Sequence, residues 1–445
     1  MTKHNELLGI YNAALAAVDP YRAVLNSLGL KQNKLHLGAA VYDLEKYRRI
    51  VVVGAGKATA RMAMAIESVL GERISAGLII VKDGHKAPLS IIGQVEAAHP
   101  VPSQAGVDGT RKIMQMAQLA DEETLLICLL SGGASALLVA PAGDITLADK
   151  QAVTGLLLKA GAGIGELNAV RKHLSAVKGG RLAQLAFPAQ TVVLILSDVI
   201  GDKLDVIASG PTAPDATTYA DAWAVIEKYG LAENISRQVR HHLQQGMAGK
   251  VGETVKAGAV SLTKVNNTVV GNLGLALAAA REQAAQLGLH AEIVQTALQG
   301  EARVAAHFLA QAARAALGNM QFHERRCLLS GGETTVTVTG TGMGGRNQEL
   351  ALAFALEIDG LQDVSLLSAG TDGSDGQNDA AGALVNGQTA ARARQLGMAP
   401  EQYLAANDSY HFFREFDTRS GEKTHLITGP TGTNVMDIQI LLLEK

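Results

Sequence analysis

Short apolar runs recur along the chain, separated by longer segments, and they constrain its fold more than any other feature. Several are continuous rather than alternating, which is typical of strands buried on both faces of a parallel sheet. They predict strands at residues 50–53, 77–81, 125–130, 191–196, 268–270, 327–329, 335–338 and 364–367.

The segments between these runs have the apolar spacing of helices. The clearest lie at residues 57–70, 108–120, 275–287, 302–317 and 347–356. Alternation of strand and helix predicts an α/β fold with a large, doubly wound, mostly parallel α/β/α domain. The run TVTV at 335–338 closely follows LLSGGE, which predicts an antiparallel hairpin and a second, smaller domain with a mixed sheet.

Composition excludes several function classes. The 445 residues suffice for two or three domains, and 39 Lys and Arg against 42 Asp and Glu leave no basic footprint for nucleic acid or a membrane surface. The two cysteines, Cys128 and Cys327, lie in apolar runs and are too few for a disulfide framework or a thiolate metal site. With no apolar run of about 20 residues and no signal peptide, we expect a soluble, cytoplasmic protein.

In open parallel sheets, ligands bind beyond the carboxyl ends of the strands, so the residues after each run are the first candidates. The run IVVV is followed by Gly54, Ala55, Gly56 and Lys57. Two glycines permit a sharp turn, and a lysine at the start of a helix suits a phosphate or carboxylate. This interpretation competes with an ordinary tight turn carrying a solvated lysine, and the motif is neither a Walker A loop nor a complete GxGxxG.

Two further turns have the small residues of an anion site. Ser131, Gly132 and Gly133 follow LLICLL, where an anion-binding turn is favoured over a nucleophilic serine because G-x-S-x-G is absent. Ser209 and Gly210 lie in the second turn, within ASGPT.

An aspartate leaves one of the buried strands. Asp198 follows TVVLIL after one serine, Ser197, at a strand exit where a carboxylate is costly unless it faces a cleft. It is therefore a candidate Mg²⁺ ligand or base, and a structural cap is the alternative.

The glycine-rich segment 340–345 precedes a predicted helix that starts with Arg346, Asn347 and Gln348. A hairpin would explain the glycines but not the arginine, which can bind phosphate or carboxylate in a bidentate manner. We therefore predict that Gly344, Gly345, Arg346 and Asn347 contact an anionic ligand.

A cluster of aspartates follows the strand VSLL. Asp372, Asp375 and Asp379 lie within eight residues, but the spacing does not match an EF-hand, whose twelfth residue would be Ala383 instead of glutamate. Such a cluster suits a hard cation that carries nucleotide phosphates, and a solvated turn is the alternative. Taken together, the cations, the glycine-rich turns and the carboxylates are the groups that phosphoryl transfer requires.

Several motifs in order resemble the glycerate 2-kinase family, which joins a glycerate kinase domain to a carboxy-terminal MOFRL module. They are NAVRKHLSAVKGGRL at 168–182, LSDVIGD at 196–202, ASGPTAPD at 208–215, GGRNQE at 344–349, AGTDGSDG at 369–376 and TGPTGTNVMD at 428–437. In the last acidic loop the family commonly shows Pro-Thr where this chain has Gln377 and Asn378.

The resemblance implies Mg²⁺- and ATP-dependent phosphorylation of D-glycerate to 2-phosphoglycerate in a cleft between two domains. It implies extents of 5–245 for the kinase domain, 246–324 for a connecting region and 325–443 for the MOFRL module, with a homo-oligomer left open. Lys57 and Arg346 match the family's main active-site residues, Asp198 joins them as a predicted catalytic group, and Asp198, Asp372, Asp375 and Asp379 are the predicted metal ligands. An NAD(P)H-dependent hydroxypyruvate reductase and a non-catalytic metabolite-binding protein are the alternatives.

Overall fold

The computed structural model describes residues 2–445, and its strands form three sheets. In chain order they are β1 (Leu28–Lys31), β2 (Lys34–Leu37), β3 (Ala40–Asp43), β4 (Arg49–Ala55), β5 (Ala76–Lys82), β6 (Gly93–Ala97), β7 (Thr124–Leu130), β8 (Gln190–Leu196), β9 (Val265–Gly271), β10 (His290–Glu301), β11 (Arg325–Thr335), β12 (Val364–Gly370), β13 (Gly382–Asn386), β14 (His425–Leu426) and β15 (Asp437–Glu444).

Helices connect most of these strands. They are α1 (Lys3–Ala17), α2 (Pro20–Ser27), α3 (Thr59–Leu70), α4 (Gln104–Gln118), α5 (Ala134–Leu137), α6 (Leu147–Lys159), α7 (Ile164–His173), α8 (Arg181–Ala186), α9 (Tyr219–Lys228), α10 (Arg237–Met247), α11 (Leu273–Gln286), α12 (Ala302–Asn319), α13 (Arg346–Glu357), α14 (Thr389–Gln395), α15 (Pro400–Ala405) and α16 (Ser409–Ser420).

The chain divides into two compact units, and the first comprises Pro20–Val270. Its six-stranded sheet has the order β6-β5-β4-β7-β8-β9, and the pairings from β6 through β8 are all parallel. Every residue of β7 is buried, as are Ile50 to Ala55 of β4. The continuous apolar runs therefore form a parallel sheet covered on both faces, which confirms the predicted α/β class.

The strand order of this sheet reverses between β4 and β7. The chain runs outward from β4 through β5 to β6 and then returns to add β7 on the other side of β4. Loops that leave neighbouring strands in opposite directions open a crevice at their carboxyl ends, where open α/β sheets bind their ligands. The turns that begin at Gly56 and at Ser131 both leave the sheet at this switch point.

The second unit joins the residues up to Asp19 to Gly271–Lys445. Its sheet has the order β10-β11-β15-β12-β13-β14, with β10 and β11 parallel and the other pairings antiparallel. A core of buried side chains, among them Phe354, Phe412 and Phe416, packs α13 and α16 beside this sheet. This is the predicted mixed sheet.

The predicted hairpin at 335–338 is wrong. Strand β11 continues through the SGG segment and ends at Thr335, and its antiparallel partner is β15 at the end of the chain. Gly332 does not turn the chain: a Cβ there would lie 2.2 Å from the carbonyl oxygen of Leu298 on β10. Glycine inside a strand here allows two backbones to approach closely, where the register of β10 and β11 shifts.

The compact units are defined by contacts in the folded chain, and one of them combines two separate stretches of sequence. The predicted extents 5–245, 246–324 and 325–443 are each one continuous stretch. Those extents remain a prediction. No helix within residues 2–445 combines the length and apolar character needed to cross a membrane.

Candidate functional site

The two turns at the switch point of the parallel sheet are hydrogen-bonded to each other. The amide of Lys57 donates to the carbonyl of Gly132 at 2.9 Å, and the amide of Ser131 donates to Ala55 at 3.2 Å. Lys57 thus lies just before the start of α3 at Thr59, held against the second turn. The structure therefore brings together two of the three predicted anion turns of this unit.

Gly56 and Ser131 pack so closely that position 56 has no room for a side chain. Gly56 has a φ of +143°, and a Cβ there would lie 2.0 Å from the Ser131 hydroxyl oxygen. That hydroxyl oxygen accepts from the Ala58 amide at 3.1 Å and lies 3.0 Å from the Thr59 hydroxyl. Its bonds hold the two turns together. Gly54 is also required, because its Cβ would lie 2.4 Å from the Leu129 carbonyl oxygen.

The surroundings of Lys57 are positively charged. A Cβ on Gly133 would lie 3.3 Å from Cγ of Lys57 and 3.0 Å from the ring of His99. Burial, followed by the charges of Lys57 and Lys82, lowers the pKa of His99 to about 4. A neutral histidine among cations indicates a positive potential, which favours an anionic ligand.

The turn containing Ser209 and Gly210 joins the same group. The hydroxyl oxygens of Ser209 and Ser135 are 3.0 Å apart. Ala208 and Ser209 both have positive φ values, +54° and +59°, a costly conformation for residues with a side chain and one that clusters at functional sites. Asp198 follows β8, which pairs in parallel with β7, so it leaves the same edge of the sheet, half-buried.

In the second unit, Arg346 is the first residue of α13 and is held by two carboxylates. Its Nε and Nη2 donate to the two oxygens of Asp437 at 2.6 and 2.9 Å, and Nη1 donates to Glu333 at 2.9 Å. Bidentate pairing fixes the plane of the guanidinium. Arg346 is thus rigidly placed, and the two carboxylates offset its charge.

Asp437 is a site residue that sequence reasoning missed. It is 1% exposed, and burial raises its pKa to about 6 even though the Arg346 charge lowers it. Asp437 begins β15, and the antiparallel register places it opposite Gly370 and Gly332. Asp437 precedes its strand instead of following one, and an aspartate at the start of the largely apolar run DIQILLLE is the sequence signal that marks it.

Asp375 caps α13. Its two carboxylate oxygens accept from the backbone amides of Asn347 at 3.0 Å and Gln348 at 2.8 Å, and it is 2% exposed. Asn347 in turn accepts from the Ser368 hydroxyl at 2.8 Å. These contacts explain Asp375 and Asn347 as groups that anchor the helix carrying Arg346.

The glycines before α13 also have a packing role. A Cβ on Gly345 would lie 2.2 Å from the carbonyl oxygen of Asp375, and one on Gly344 would lie 2.2 Å from the Ser409 hydroxyl oxygen. Gly340 and Gly342 would collide with the same short segment, 406–409. The loop is therefore pressed against its neighbours, which accounts for its glycines without a ligand.

The four predicted metal ligands do not form a closed site. Within residues 2–445, no group of three or more His, Cys, Asp or Glu side chains is arranged to hold a metal ion. Asp379 accepts a hydrogen bond from the Tyr410 hydroxyl at 2.9 Å, and Asp375 accepts one from the Asn347 amide at the start of α13. A Cβ on Gly370 would lie 3.5 Å from Oδ1 of Asp372 and 3.4 Å from Oδ1 of Asp437. Two carboxylates on one small surface fit the limited protein share of a Mg²⁺ ion that is mainly bound by phosphates and water.

Comparisons with known proteins match two family models to separate parts of the chain. A family described as a domain of unknown function, DUF4147, matches residues 6–244, and the MOFRL family matches residues 326–437.

Relatives match over nearly the whole length. The D-glycerate 2-kinase of Thermotoga maritima is 42% identical over 98% of this chain and 97% of its own. A protein of Agrobacterium vitis named a putative hydroxypyruvate reductase is 40% identical over 98% of this chain and 93% of its own. The crystal structure of Thermotoga maritima glycerate kinase superposes with a TM-score of 0.86 at 41% identity, covering 99% of both chains.

Proposed function

Because the chain belongs to the glycerate 2-kinase family, we propose that it transfers the γ-phosphoryl group of ATP to the C2 hydroxyl of D-glycerate, giving 2-phosphoglycerate and ADP. The observation that carries the proposal is the Lys57 turn at the switch point of the parallel sheet. Lys57 forms no ion pair with any described residue, and the nearby His99 also senses the charge of Lys82, which fits an anion-binding lysine.

The Lys57 turn orients anionic oxygens. Its amine and the small residues 131–133 bind either the glycerate carboxylate or the incoming phosphoryl group. Stabilising charge that grows on the transferred group is the main source of catalysis in phosphoryl transfer. The hydrogen bonds through Ser131 hold the turn in place before the ligand arrives.

The reaction forms a bond between the C2 oxygen and the γ-phosphorus and breaks the bond from that phosphorus to the ADP oxygen. The proton of the C2 hydroxyl must leave, and Asp198 is the proposed acceptor. It leaves the same sheet edge as residues 131–133, where a half-buried carboxylate can accept a proton.

In the second unit, Arg346 supplies a fixed positive group for phosphoryl oxygens. Asp437 and Glu333 accept three of its five N–H donors, which leaves two for a ligand. When bound, Mg²⁺ neutralises the phosphate charge of ATP, and Asp372, with Asp437 beside it, is the proposed protein ligand.

The name of the Agrobacterium vitis relative raises reduction of hydroxypyruvate as a second candidate. A nicotinamide turn normally has a third glycine where this chain has Thr59. The Thr59 hydroxyl lies 3.0 Å from that of Ser131 and so helps to close the turn. The kinase is therefore the proposal supported by the local geometry.

The test is an assay of the purified chain with two substrate pairs. D-glycerate with MgATP should yield ADP and a phosphoester whose ³¹P–¹³C coupling places the phosphate on C2. Hydroxypyruvate with NADH or NADPH should give no oxidation above background. Coenzyme oxidation without ADP formation would overturn the proposal, and a phosphoester on C3 would overturn its regiochemistry.

A further inference from the structure

A cavity of about 360 Å³ in the first unit adjoins the Lys57 turn and is lined by three cations, Lys150, Arg171 and Lys178. Among the described residues, none of those that line it carries a carboxylate. Pro100, Val139 and Leu158 contribute apolar walls, which lower the local polarity and strengthen attraction to an anion.

The two lysines are buried, and hydrogen bonds to backbone carbonyl oxygens fix the positions of their amines. Lys178 is 2% exposed, and its amine donates to the carbonyls of Ser135 at 2.8 Å and Ala208 at 3.3 Å. Lys150 is 7% exposed and donates to the Leu174 carbonyl at 2.8 Å. An ammonium has three donors, so each of these groups retains capacity for a ligand.

Arg171 makes no ion pair with a described residue, in contrast to Lys172 beside it, which pairs with Asp215 at 3.2 Å. Burial and the charges of Arg171 and Arg181 lower the pKa of Lys150 to about 7. Buried cations that repel one another without a counter-ion cost stability. A bound anion would offset that cost.

We infer that this cavity binds the carboxylate of the hydroxy-acid substrate, with Arg171 as its bidentate contact, an inference that rests on the proposed kinase function. Gly133 and His99 line the cavity, and a Cβ on Gly133 would lie 3.3 Å from Cγ of Lys57. Two adjoining anion sites match 2-phosphoglycerate, in which a carboxylate and a phosphoryl oxygen share one carbon. The cavity binds the carboxylate, and the Lys57 turn binds the phosphoryl group.

The experiment compares steady-state kinetics of Arg171→Gln with the wild-type chain. Loss of a charge-assisted bidentate contact should raise KM for D-glycerate about 30- to 100-fold, with kcat within about 3-fold and KM for MgATP unchanged. Arg171→Lys should recover part of the affinity. Lys159→Gln, which removes an exposed cation from the same helix as Lys150 but outside the cavity, should match the wild type.

An unchanged KM for D-glycerate in Arg171→Gln, or a rise in KM for MgATP instead, would overturn the inference. If Arg171→Gln does not fold, Leu158→Glu decides the matter, because Leu158 is 57% exposed at the cavity and an added carboxylate there should raise KM for D-glycerate about 5- to 10-fold. An unchanged KM would again count against the cavity.

Calorimetric titration with D-glycerate alone separates this inference from the proposed function. A wild-type chain that binds D-glycerate but does not phosphorylate it would refute the kinase and leave the cavity standing. Equal D-glycerate affinity of the wild type and Arg171→Gln would refute the cavity, whatever the turnover.

Discussion

The two units each present a cation at the amino-terminal end of a helix, but in opposite electrostatic settings. Lys57 has no carboxylate partner among residues 2–445, and the charges of both Lys57 and Lys82 act on His99. Arg346 is bound on three N–H groups by Asp437 and Glu333. A cation that is to bind a ligand needs free donors, whereas a cation that is to be placed accurately needs partners.

This difference assigns different roles to the two cations: Lys57 supplies charge to a ligand, and Arg346 also holds a defined position through its ion pairs. Removing Lys57 should change what the first unit can bind and leave its fold intact. Removing Arg346 should also leave a carboxylate that is 1% exposed without its partner, which is costly in a protein interior. Stability measurements and kinetics together therefore distinguish the two roles.

Lys57→Ala should give the largest effect, a fall in turnover of about 10³-fold or more, because the variant loses a charge that faces the transferred group. The midpoint of urea unfolding should stay close to that of the wild type. Lys57→Met keeps the apolar stem and should be equally inactive. Near-normal turnover in either variant would remove Lys57 from the proposed chemistry.

Arg346→Ala should also lower turnover by several orders of magnitude, and in addition should destabilise the second unit by about 2–4 kcal/mol. Urea unfolding followed by circular dichroism measures the second effect. Glu333→Gln is the control, since Glu333 is half exposed and its loss should cost under about 1 kcal/mol. An Arg346→Ala variant as stable as the wild type would contradict the positional role of the ion pair.

The same contrast shows why one site could be predicted from sequence and the other only in part. Lys57 and Ser131 follow two continuous apolar runs, and parallel strands bring their carboxyl ends to one edge. Local pattern and topology agree there, so residues far apart in sequence were placed together correctly.

The site in the second unit depends on the pairing of strands that no local sequence pattern predicts. Strand β11 takes one partner, β15, from the end of the chain, and this puts Asp437 beside Arg346. Glycines of the loop before α13 have the pattern of a phosphate loop, and they also allow close packing against residues 406–409. Composition cannot distinguish a glycine that admits a ligand from one that admits a neighbouring backbone.

The raised pKa of Asp437 predicts a pH dependence that arises in the second unit. Below about pH 6 the carboxyl gains a proton and loses one acceptor for Arg346, so turnover should fall on the acid side. Because protonation of Asp437 causes the fall in turnover at acid pH, an asparagine at this position should remove that fall. Asp437→Asn should therefore have lower turnover at every pH and a flat pH profile between about pH 5 and 7. A wild-type profile that does not change from pH 7 to pH 5 would contradict the assignment.

The smallest expected effects separate a helix cap from a metal ligand inside the acidic loop. Asp375→Asn should lower stability by about 1–2 kcal/mol, because it weakens an acceptor for the first amides of α13, and added Mg²⁺ should not restore it. Asp372 is half-buried, and its carboxylate accepts hydrogen bonds from the amide and the hydroxyl of Ser374 in its own turn. Asp372→Asn should therefore unfold like the wild type while raising the Mg²⁺ concentration for half-maximal turnover about 3- to 10-fold. A reversal of these two outcomes would move the proposed metal contact from Asp372 to Asp375 and make Asp372 the structural residue.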